Sequence, residues 1–582
     1  MNKNWVLRET DADLRLMSQV LGVSEITAHV LANRGLRTKK TAQAFLYPQA
    51  ASLHDTLLLK DAEAAIARIA KAVAEDEKIV IYGDYDVDGV TSTVILYRVL
   101  HRLGGDVSYY MPHRVEEGYG LNLSAVNHLA EIGTQLLICV DNGISAVDEI
   151  GHANALGMET IIIDHHEPGE TIPAATAVVD PKQPDCGYPF KELCAAGLVY
   201  KLAGALCKKV GTAYTEENEM CVLAAMACIC DIVSLKDENR TLVYRGLAVL
   251  NTNKSINPGL GTLITQRGYS DKTIDAFCIG FILGPCLNAT GRLDSAELSV
   301  ELLLADDIDN KISLARELVT LNDERKDLTK ECVDRALDRL AQIDPLPRVL
   351  ILVDDDAHES VAGIVAGRIR DTTGRPTIML TRSEQNMKGS GRSIPAYNLF
   401  EALHTHRDLF IRFGGHAAAA GLTLPEKNIP LLREALNAGC ILTEADFLPV
   451  HEIDRVLEAV EITLELSREL EALAPFGKGN AAPLFVTYGL YTERVRVIDE
   501  KNTLIFTFRD KNNGDVRIKG ISFGLNRVYT QAVEQAGVSA SGGFLMDAAY
   551  RIETNVYNGI VSVQVGIKDF VVHPIVPQIC RN

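Results

Sequence analysis

The sequence predicts a multidomain α/β protein: a parallel-sheet domain, a long connecting helix, a second α/β domain and a C-terminal β-barrel of the OB type. Three observations carry this reading. Between about residues 55 and 235 short apolar runs alternate with helical patterns, the signature of a mostly parallel sheet. Between Ile312 and Leu340 apolar residues step at helical intervals. From about residue 450 alternating segments and Asn-Gly turns replace both patterns. At 582 residues the chain exceeds one ordinary core, and roughly three or four domains are expected.

Residues 1–54 read as an N-terminal helical segment with Trp5 as a packing anchor, bracing the domain that follows. In the parallel-sheet domain, 55–235, Lys78-Ile79-Val80-Ile81 reads as a buried strand and Val90 to Leu103 as a helix closed by Gly104 and Gly105. The segment Asp84-Tyr85-Asp86-Val87-Asp88-Gly89 therefore lies on a strand-to-helix turn. Leu136 to Val140 runs into Asp141-Asn142-Gly143, and Thr160 to Ile163 runs into Asp164-His165-His166. Asp231 follows a fourth apolar run. Open α/β sheets gather their ligands at strand C-termini.

Residues 236–344 read as a helical connector. Leu314, Leu318, Leu321, Leu328, Cys332, Ala336 and Leu340 mark one long helix, with a break in the pattern at Arg325. Such a helix holds a second domain at a fixed distance and leaves a cleft. That domain, 345–445, opens on the strand Arg348 to Val353. Gly389-Ser390-Gly391-Arg392-Ser393 reads as a glycine-rich loop, either a tight turn or an anion site offering backbone N–H groups and the Arg392 guanidinium. Phe413-Gly414-Gly415-His416 either admits a ligand close to the backbone or, with Ala417 to Ala420, packs a helix against the sheet. In 446–582, Leu504 to Phe508, Val516 to Lys519 and Val561 to Val565 read as strands, with hairpin signals at Asn513-Gly514 and Asn558-Gly559. Arg494, Arg496, Arg517 and Lys519 either line a strand-binding face or are solvated.

The net charge, 58 − 77 = −19, argues on its face against a nucleic-acid partner. Bound divalent cations offset that charge locally, and a narrow groove with a few arginines can hold a single strand on an otherwise acidic protein. The twelve cysteines lie mostly in apolar runs without a Cys-x-x-Cys pair, which implies reduced thiols. No apolar leader and no membrane span are read in the sequence, so a cytoplasmic location is expected, with monomer as the default state.

Each acidic cluster taken alone is explained as well by a cap or turn as by catalysis. Four on successive strand ends are not, because crowded carboxylates repel one another unless cations neutralise them. Oxygen ligands with one or two imidazoles suit Mn²⁺ or Mg²⁺ better than zinc. Two such ions, roughly 3.5–4 Å apart, are the arrangement that activates a water for in-line attack on a phosphodiester.

These clusters resemble those of the DHH phosphoesterase superfamily and, within it, the RecJ single-strand exonuclease family. The likeness extends through Tyr119-Gly120-Leu121-Asn122, Tyr188-Pro189-Phe190-Lys191, Gly284-Pro285-Cys286-Leu287-Asn288-Ala289-Thr290-Gly291-Arg292-Leu293, Ser390-Gly391-Arg392-Ser393, Phe413-Gly414-Gly415-His416-Ala417 with Ala420-Gly421, and Pro475-Phe476-Gly477-Lys478-Gly479-Asn480.

The resemblance implies that 55–235 is a DHH catalytic domain, 345–445 a DHH-associated domain and 446–582 an OB-fold-like nucleic-acid-binding domain. It implies two Mn²⁺ or Mg²⁺ ions, with Asp84, Asp86, Asp88, Asp141, His165 and Asp231 as ligands. Asp86 and Asp88 serve different ions, Asp141 bridges them, and His165 and Asp231 complete the second ion's shell. Asp164 orients an imidazole from outside that shell. His166 faces substrate phosphate or supports His165, and is counted with Asp141 and Asp164 among the catalytic residues. Arg114, Tyr119, Asn288, Arg292, Ser390, Arg392, Gly415 and His416 are the substrate-binding candidates; for Arg114 and Tyr119, solvation and packing stay open beside the cradling of a terminal nucleotide. One departure stands out: Cys286 occupies a place where the family usually has arginine.

The implied activity is 5′-to-3′ hydrolysis of single-stranded DNA to 5′-mononucleotides in repair and recombination, with a DNA helicase and a single-strand-binding protein as possible partners. The alternatives are a DHH oligonucleotide or cyclic-dinucleotide phosphodiesterase and a non-catalytic single-strand-binding replication scaffold. The first lacks a barrel, and the second is expected to lose metal ligands. A family II pyrophosphatase would be far shorter.

Overall fold

The computed structural model describes residues 4–48, 53–114, 116–118, 120–383, 385–510 and 516–575. The chain forms two compact units, residues 53–449 and residues 1–52 together with 450–582.

In the larger unit, strands Val107–Tyr110, Ile79–Tyr82, Leu136–Val140, Glu159–Ile163 and Ala177–Val179 lie side by side in that order, all parallel. Their side chains alternate between two cores. Ile79, Ile81, Leu136, Ile138 and Ile161 face helices Ala62–Ala74, Val87–Arg102 and Ala195–Lys209. Val80, Tyr82, Leu137, Cys139 and Ile162 face helices Leu123–Glu131 and Val147–Ala155. Both faces are covered, which is why the strands read as unbroken apolar runs. In chain order the strands run second, first, third, fourth, fifth. The direction of winding thus reverses between Ile79–Tyr82 and Leu136–Val140, and a crevice opens beyond their C-terminal ends. The Asp84 segment and Asp141 follow those two strands.

Helix Ile308–Leu340 is a single 33-residue element, capped by the Asp307 carboxylate, and passes through Arg325 without a break. The expected interruption is a change of partner. Leu314, Ala315 and Leu318 belong to the core of the parallel-sheet domain, whereas Cys332, Ala336 and Leu340 pack with Val361, Val365 and Ile369 of the next domain. The second domain's sheet runs Arg412–His416, Ala419–Leu424, Asn386–Arg392, Thr377–Ser383, Leu350–Val353; the last two pair in parallel and the others are antiparallel. Gly389-Ser390-Gly391-Arg392 is therefore a central strand, not a loop. Its glycines serve packing: a Cβ on Gly389 would stand 2.4 Å from a Leu380 methyl, and one on Gly391 2.5 Å from a Leu399 methyl. Ala417 and Ala418 form a hairpin turn, not a helix contact.

In the other unit, strands Phe485–Ile498, Thr503–Arg509, Arg517–Phe523, Ile560–His573 and Phe544–Tyr557 close into a ring, since the last pairs back onto the first. The third and fifth strands of the chain run parallel there, and helix Asn526–Ala536 separates the third from the fourth. This is the expected OB-type barrel. Asn558-Gly559 makes the expected turn, with φ of 49° and 77°; Asn513-Gly514 lies outside the described residues. The N-terminal segment belongs to this unit and not, as expected, to the one that holds the parallel sheet. Asn4–Leu7 pairs in parallel with Val450–Ile453, the Trp5 indole donates to Asp569 at 2.8 Å, and Val30 and Leu31 join the barrel's apolar cluster.

Helix stretch Ala276–Leu293 has the length and apolarity to cross a membrane, yet half of it is buried inside the protein. Among the described residues, Cys139, Cys194, Cys228 and seven further cysteines are buried free thiols, and Cys230 is a half-buried one.

Candidate metal centre

Asp86 caps helix Val87–Arg102: its carboxylate accepts from the N–H groups of Asp88 at 2.9 Å and Gly89 at 3.2 Å. The sharp turn brings helix and loop together. Asp88, buried in the first turn, accepts from the backbone N–H groups of Ala195 at 2.8 Å and Ala196 at 2.7 Å, at the N-terminus of helix Ala195–Lys209 where the helix dipole favours negative charge. Asp84 is buried, and its Oδ1 has no hydrogen-bond partner among the described residues.

Asp141 stands at φ 63°, a left-handed conformation that aspartate tolerates better than most residues. The next side chain fixes it there. The Asn142 amide donates to the carbonyls of Tyr82, Gly83 and Val140 at 3.3, 3.1 and 2.8 Å, tying the two strand ends together. Asp164 ties the next pair. It accepts from the Ile144 N–H at 3.0 Å and from the His165 N–H at 2.7 Å, and its Oδ1 lies 2.7 Å from His166 Nδ1.

His165 Nε2 lies 3.2 Å from Asp141 Oδ1 and 3.6 Å from both Asp88 Oδ2 and Asp231 Oδ2. Asp231 ends helix Glu217–Cys230 and not a strand, so three of the four clusters, not all four, stand at strand ends; the helix's terminal carbonyls add to the negative field. Among the described residues, three sets of donor atoms fall within 4.8 Å of one another: Asp84, Asp86 and Asp141; Asp88, His165 and Asp231; and Asp141, His165 and His166. Asp141 is common to the first and third, and His165 to the second and third.

Burial, then the neighbouring carboxylates, pushes Asp84, Asp88 and Asp141 well above the usual carboxylate range. Burial lowers His165 to about 3, which keeps its imidazole neutral and able to ligate. Burial also opposes a charge on His166, but the hydrogen bond and charge of Asp164 raise it to about 9; the same contact, against burial, brings Asp164 to about 2. A cluster of buried acids with one orphaned oxygen and a neutral imidazole fits two hard divalent cations with mostly oxygen ligands.

The substrate-binding candidates divide. Arg114 lies over the Tyr85 ring, 4.6 Å from its centroid, at the rim of the acidic loop. Tyr119 lies outside the described residues. Asn288 accepts from the Val87 N–H at 3.1 Å, so its carbonyl supports the acidic loop. Arg292 donates to the Ser360 carbonyl at 2.9 Å and joins the two domains of this unit; burial, then Arg114 and Arg325, lowers it to about 10. Arg392 donates to Ser390 Oγ at 2.9 Å and to the Gly391 carbonyl at 2.8 Å, and its charge is opposed by burial, then by Arg370 and Arg114. Gly415, at φ 144°, and exposed His416 sit on an edge hairpin; a Cβ on Gly415 would lie 2.3 Å from the Ala419 carbonyl. Cys286 is buried and accepts from Asn322, whose other amide atom accepts from Arg325 at 2.8 Å. Arg325 of the long helix is thereby held near Cys286 through Asn322.

Sequence reasoning passes over Asp180. It is fully buried at the end of strand Ala177–Val179, and burial pushes its carboxyl up to about 7. Its signal is the same as that of Asp141 and Asp164: an apolar run ended by an acid.

A parallel sheet that gathers buried acids and an imidazole able to hold metal ions at its strand C-termini is the arrangement of a metal-dependent phosphoesterase domain. Residues 78–229 match the family model described as the DHH family N-terminal domain, 346–440 the DHHA1 domain, and 453–569 the RecJ OB domain. The chain is 38% identical to the single-stranded-DNA-specific exonuclease RecJ of Bacillus subtilis over 88% of its own length and 64% of the relative's. It is 32% identical to the Escherichia coli RecJ over 87% of this chain and 89% of the relative. The crystal structure of RecJ with Mn²⁺ from Thermus thermophilus superposes with a TM-score of 0.81 at 30% identity, over 97% of this chain and 79% of that one; a Mg²⁺ complex gives 0.75. The chain belongs to the RecJ family of DHH phosphoesterases.

Proposed function

We propose that this chain is a single-stranded-DNA-specific 5′-to-3′ exonuclease that hydrolyses phosphodiesters to 5′-mononucleotides. The observation that carries the reading is the pair of ligand sets, Asp84–Asp86–Asp141 and Asp88–His165–Asp231, linked by the contact of Asp141 with His165. Bound there, two Mn²⁺ or Mg²⁺ ions would supply charge stabilisation and would lower the pKa of a water so that, once deprotonated, it can attack phosphorus. The chain's own residues do the rest. Asp164 holds His166 charged at the mouth of the cluster, where an imidazolium suits a phosphate oxygen. Arg114, Arg292 and Arg392 lie at the junction of the two domains, and burial with the neighbouring cations opposes the charges of Arg292 and Arg392, which a phosphate backbone relieves. The barrel favours a polymer over a dinucleotide, and the full ligand set weighs against a scaffold.

In this reading the protein works as a cytoplasmic monomer in repair and recombination, and a DNA helicase and a single-strand-binding protein present its strand. Digestion of an oligonucleotide labelled at either end, beside its duplex and a cyclic dinucleotide, tests the activity. Immediate loss of the 5′ label as mononucleotide, with the duplex spared, is the expected result; cleavage of the cyclic dinucleotide alone overturns it. Arg392→Ala is expected to weaken strand binding and to reduce its salt slope by about one phosphate's worth. An unchanged slope in a titration against salt assigns Arg392 a structural role.

A further inference from the structure

Two phenylalanines outside the metal centre remain unexplained by it. Phe277 is 61% and Phe281 69% exposed, and they are the only Phe, Tyr or Trp side chains so exposed among the described residues of 53–449. They stack on each other, with centroids 4.9 Å apart and planes 24° from parallel. Phe277 sits in the short helix Ala276–Cys278 and Phe281 in the π-helical turn Ile279–Leu283 that joins it to Gly284–Leu293, and widened turns of this kind often mark functional sites. The opposite face is core: Cys278, Ile279, Leu283 and Leu287 are buried.

The exposed face leads to the metal loop. Phe277, Phe281, Pro285, Asn288 and Arg292 recur at helical spacing and share one side of the rod. Asn288 accepts from Val87, and Gly291 packs so closely that a Cβ would lie 2.4 Å from the Tyr85 carbonyl. From Phe281 to Asn288 is ~10 Å along the axis at 1.5 Å per residue. The π turn also lies against the helix that delivers Asp231: a Cβ on Gly284 would meet Cys230 Sγ at 2.4 Å, and Ile232, next to the ligand, is 63% exposed.

We infer that Phe277 and Phe281 form a stacking platform for the bases of a single strand whose phosphodiester lies at the Asp84–Asp231 cluster. The inference rests on the functional reading above. Metal ligands and arginines address phosphates; bases need aromatic faces, which stack on any base and so suit an enzyme that reads no sequence.

The test uses the full chain with cations chelated, so that nothing is cut, and oligonucleotides carrying one 2-aminopurine at successive positions from the 5′ end. In the wild type, fluorescence is expected to be quenched at one or two adjacent positions, and in F277A/F281A to recover there with about tenfold weaker binding. With cations restored, KM on long strands rises by a similar factor while kcat stays within about twofold. F277L/F281L, which keeps apolar surface without an aromatic face, is expected to behave like the alanine pair. An abasic residue at the quenched position reproduces the defect in the wild type and adds little in the variant. Wild-type quenching and affinity in both variants overturn the platform and leave the patch to a protein partner. A wild-type protein that neither binds nor cuts single strands overturns the functional reading, and the platform with it.

Discussion

Asp141→Ala is expected to lower turnover on single-stranded DNA by at least ~10³-fold while binding of the strand without cations stays near that of the wild type. The size of the effect follows from position. Asp141 is buried, its Oδ1 lies 3.2 Å from His165 Nε2, and its carboxylate belongs to the donor set that contains Asp84 and Asp86 as well as to the one that contains His165 and His166. No other acid in the cluster serves two sets. Asp141→Asn separates the carboxylate from the backbone: asparagine tolerates φ 63° about as well as aspartate, whereas alanine there costs roughly 1–2 kcal/mol. Both variants are expected to lose turnover and to bind fewer Mn²⁺ ions by calorimetry. The asparagine variant, relieved of one of several crowded buried charges, is expected to melt higher than the wild type when cations are chelated. Turnover within tenfold of the wild type in Asp141→Asn removes Asp141 from the centre.

The candidate metal centre is legible in the sequence because its chemistry coincides with a local pattern. A strand buried on both faces is an unbroken apolar run, and the first polar residue after it marks the C-terminal edge; Asp84, Asp141 and Asp164 are found that way. Asp180 has the same placement but escapes notice because no histidine or glycine accompanies it. The N-terminal segment misleads for a different reason. Its partners, Ile453, Leu466 and Asp569, lie more than four hundred residues away, and nothing in Asn4–Leu7 records which sheet edge it will join. The Gly389–Arg392 strand reads as a loop because glycine clusters signal turns locally, whereas here the packing of Leu380 and Leu399 demands residues without Cβ. Phe277 and Phe281 give no signal at all, since an i, i+4 aromatic pair on an amphipathic helix reads as core.

Gly89→Ala is expected to cost on the order of 10²-fold in kcat, although alanine normally stabilises a helix over glycine by ~1 kcal/mol. The sign reverses because of what the Cβ would meet. It would stand 2.4 Å from the Asp84 carbonyl oxygen, 2.5 Å from the Asp84 nitrogen and 2.7 Å from the Asp84 carbonyl carbon, all backbone atoms that cannot rotate away. Relief requires that the Asp84 segment and the first turn of helix Val87–Arg102 separate by most of an ångström. Asp84 and Asp86 then shift against Asp88, which is pinned by the N–H groups of Ala195 and Ala196 on another helix. The two donor sets move apart, and a displacement of that order in a catalytic constellation is enough for the loss named. Folding is weakened by about 1–3 kcal/mol through overpacking. Gly151, in helix Val147–Ala155 with nothing within 4 Å of its missing Cβ, is the control: Gly151→Ala is expected to match or exceed wild-type stability and to keep full turnover. Paired measurements of kcat, Mn²⁺ affinity and melting temperature on the two variants decide the matter. If Gly89→Ala turns over and binds Mn²⁺ as Gly151→Ala does, the close approach of helix and loop is not what holds the ligand sets together.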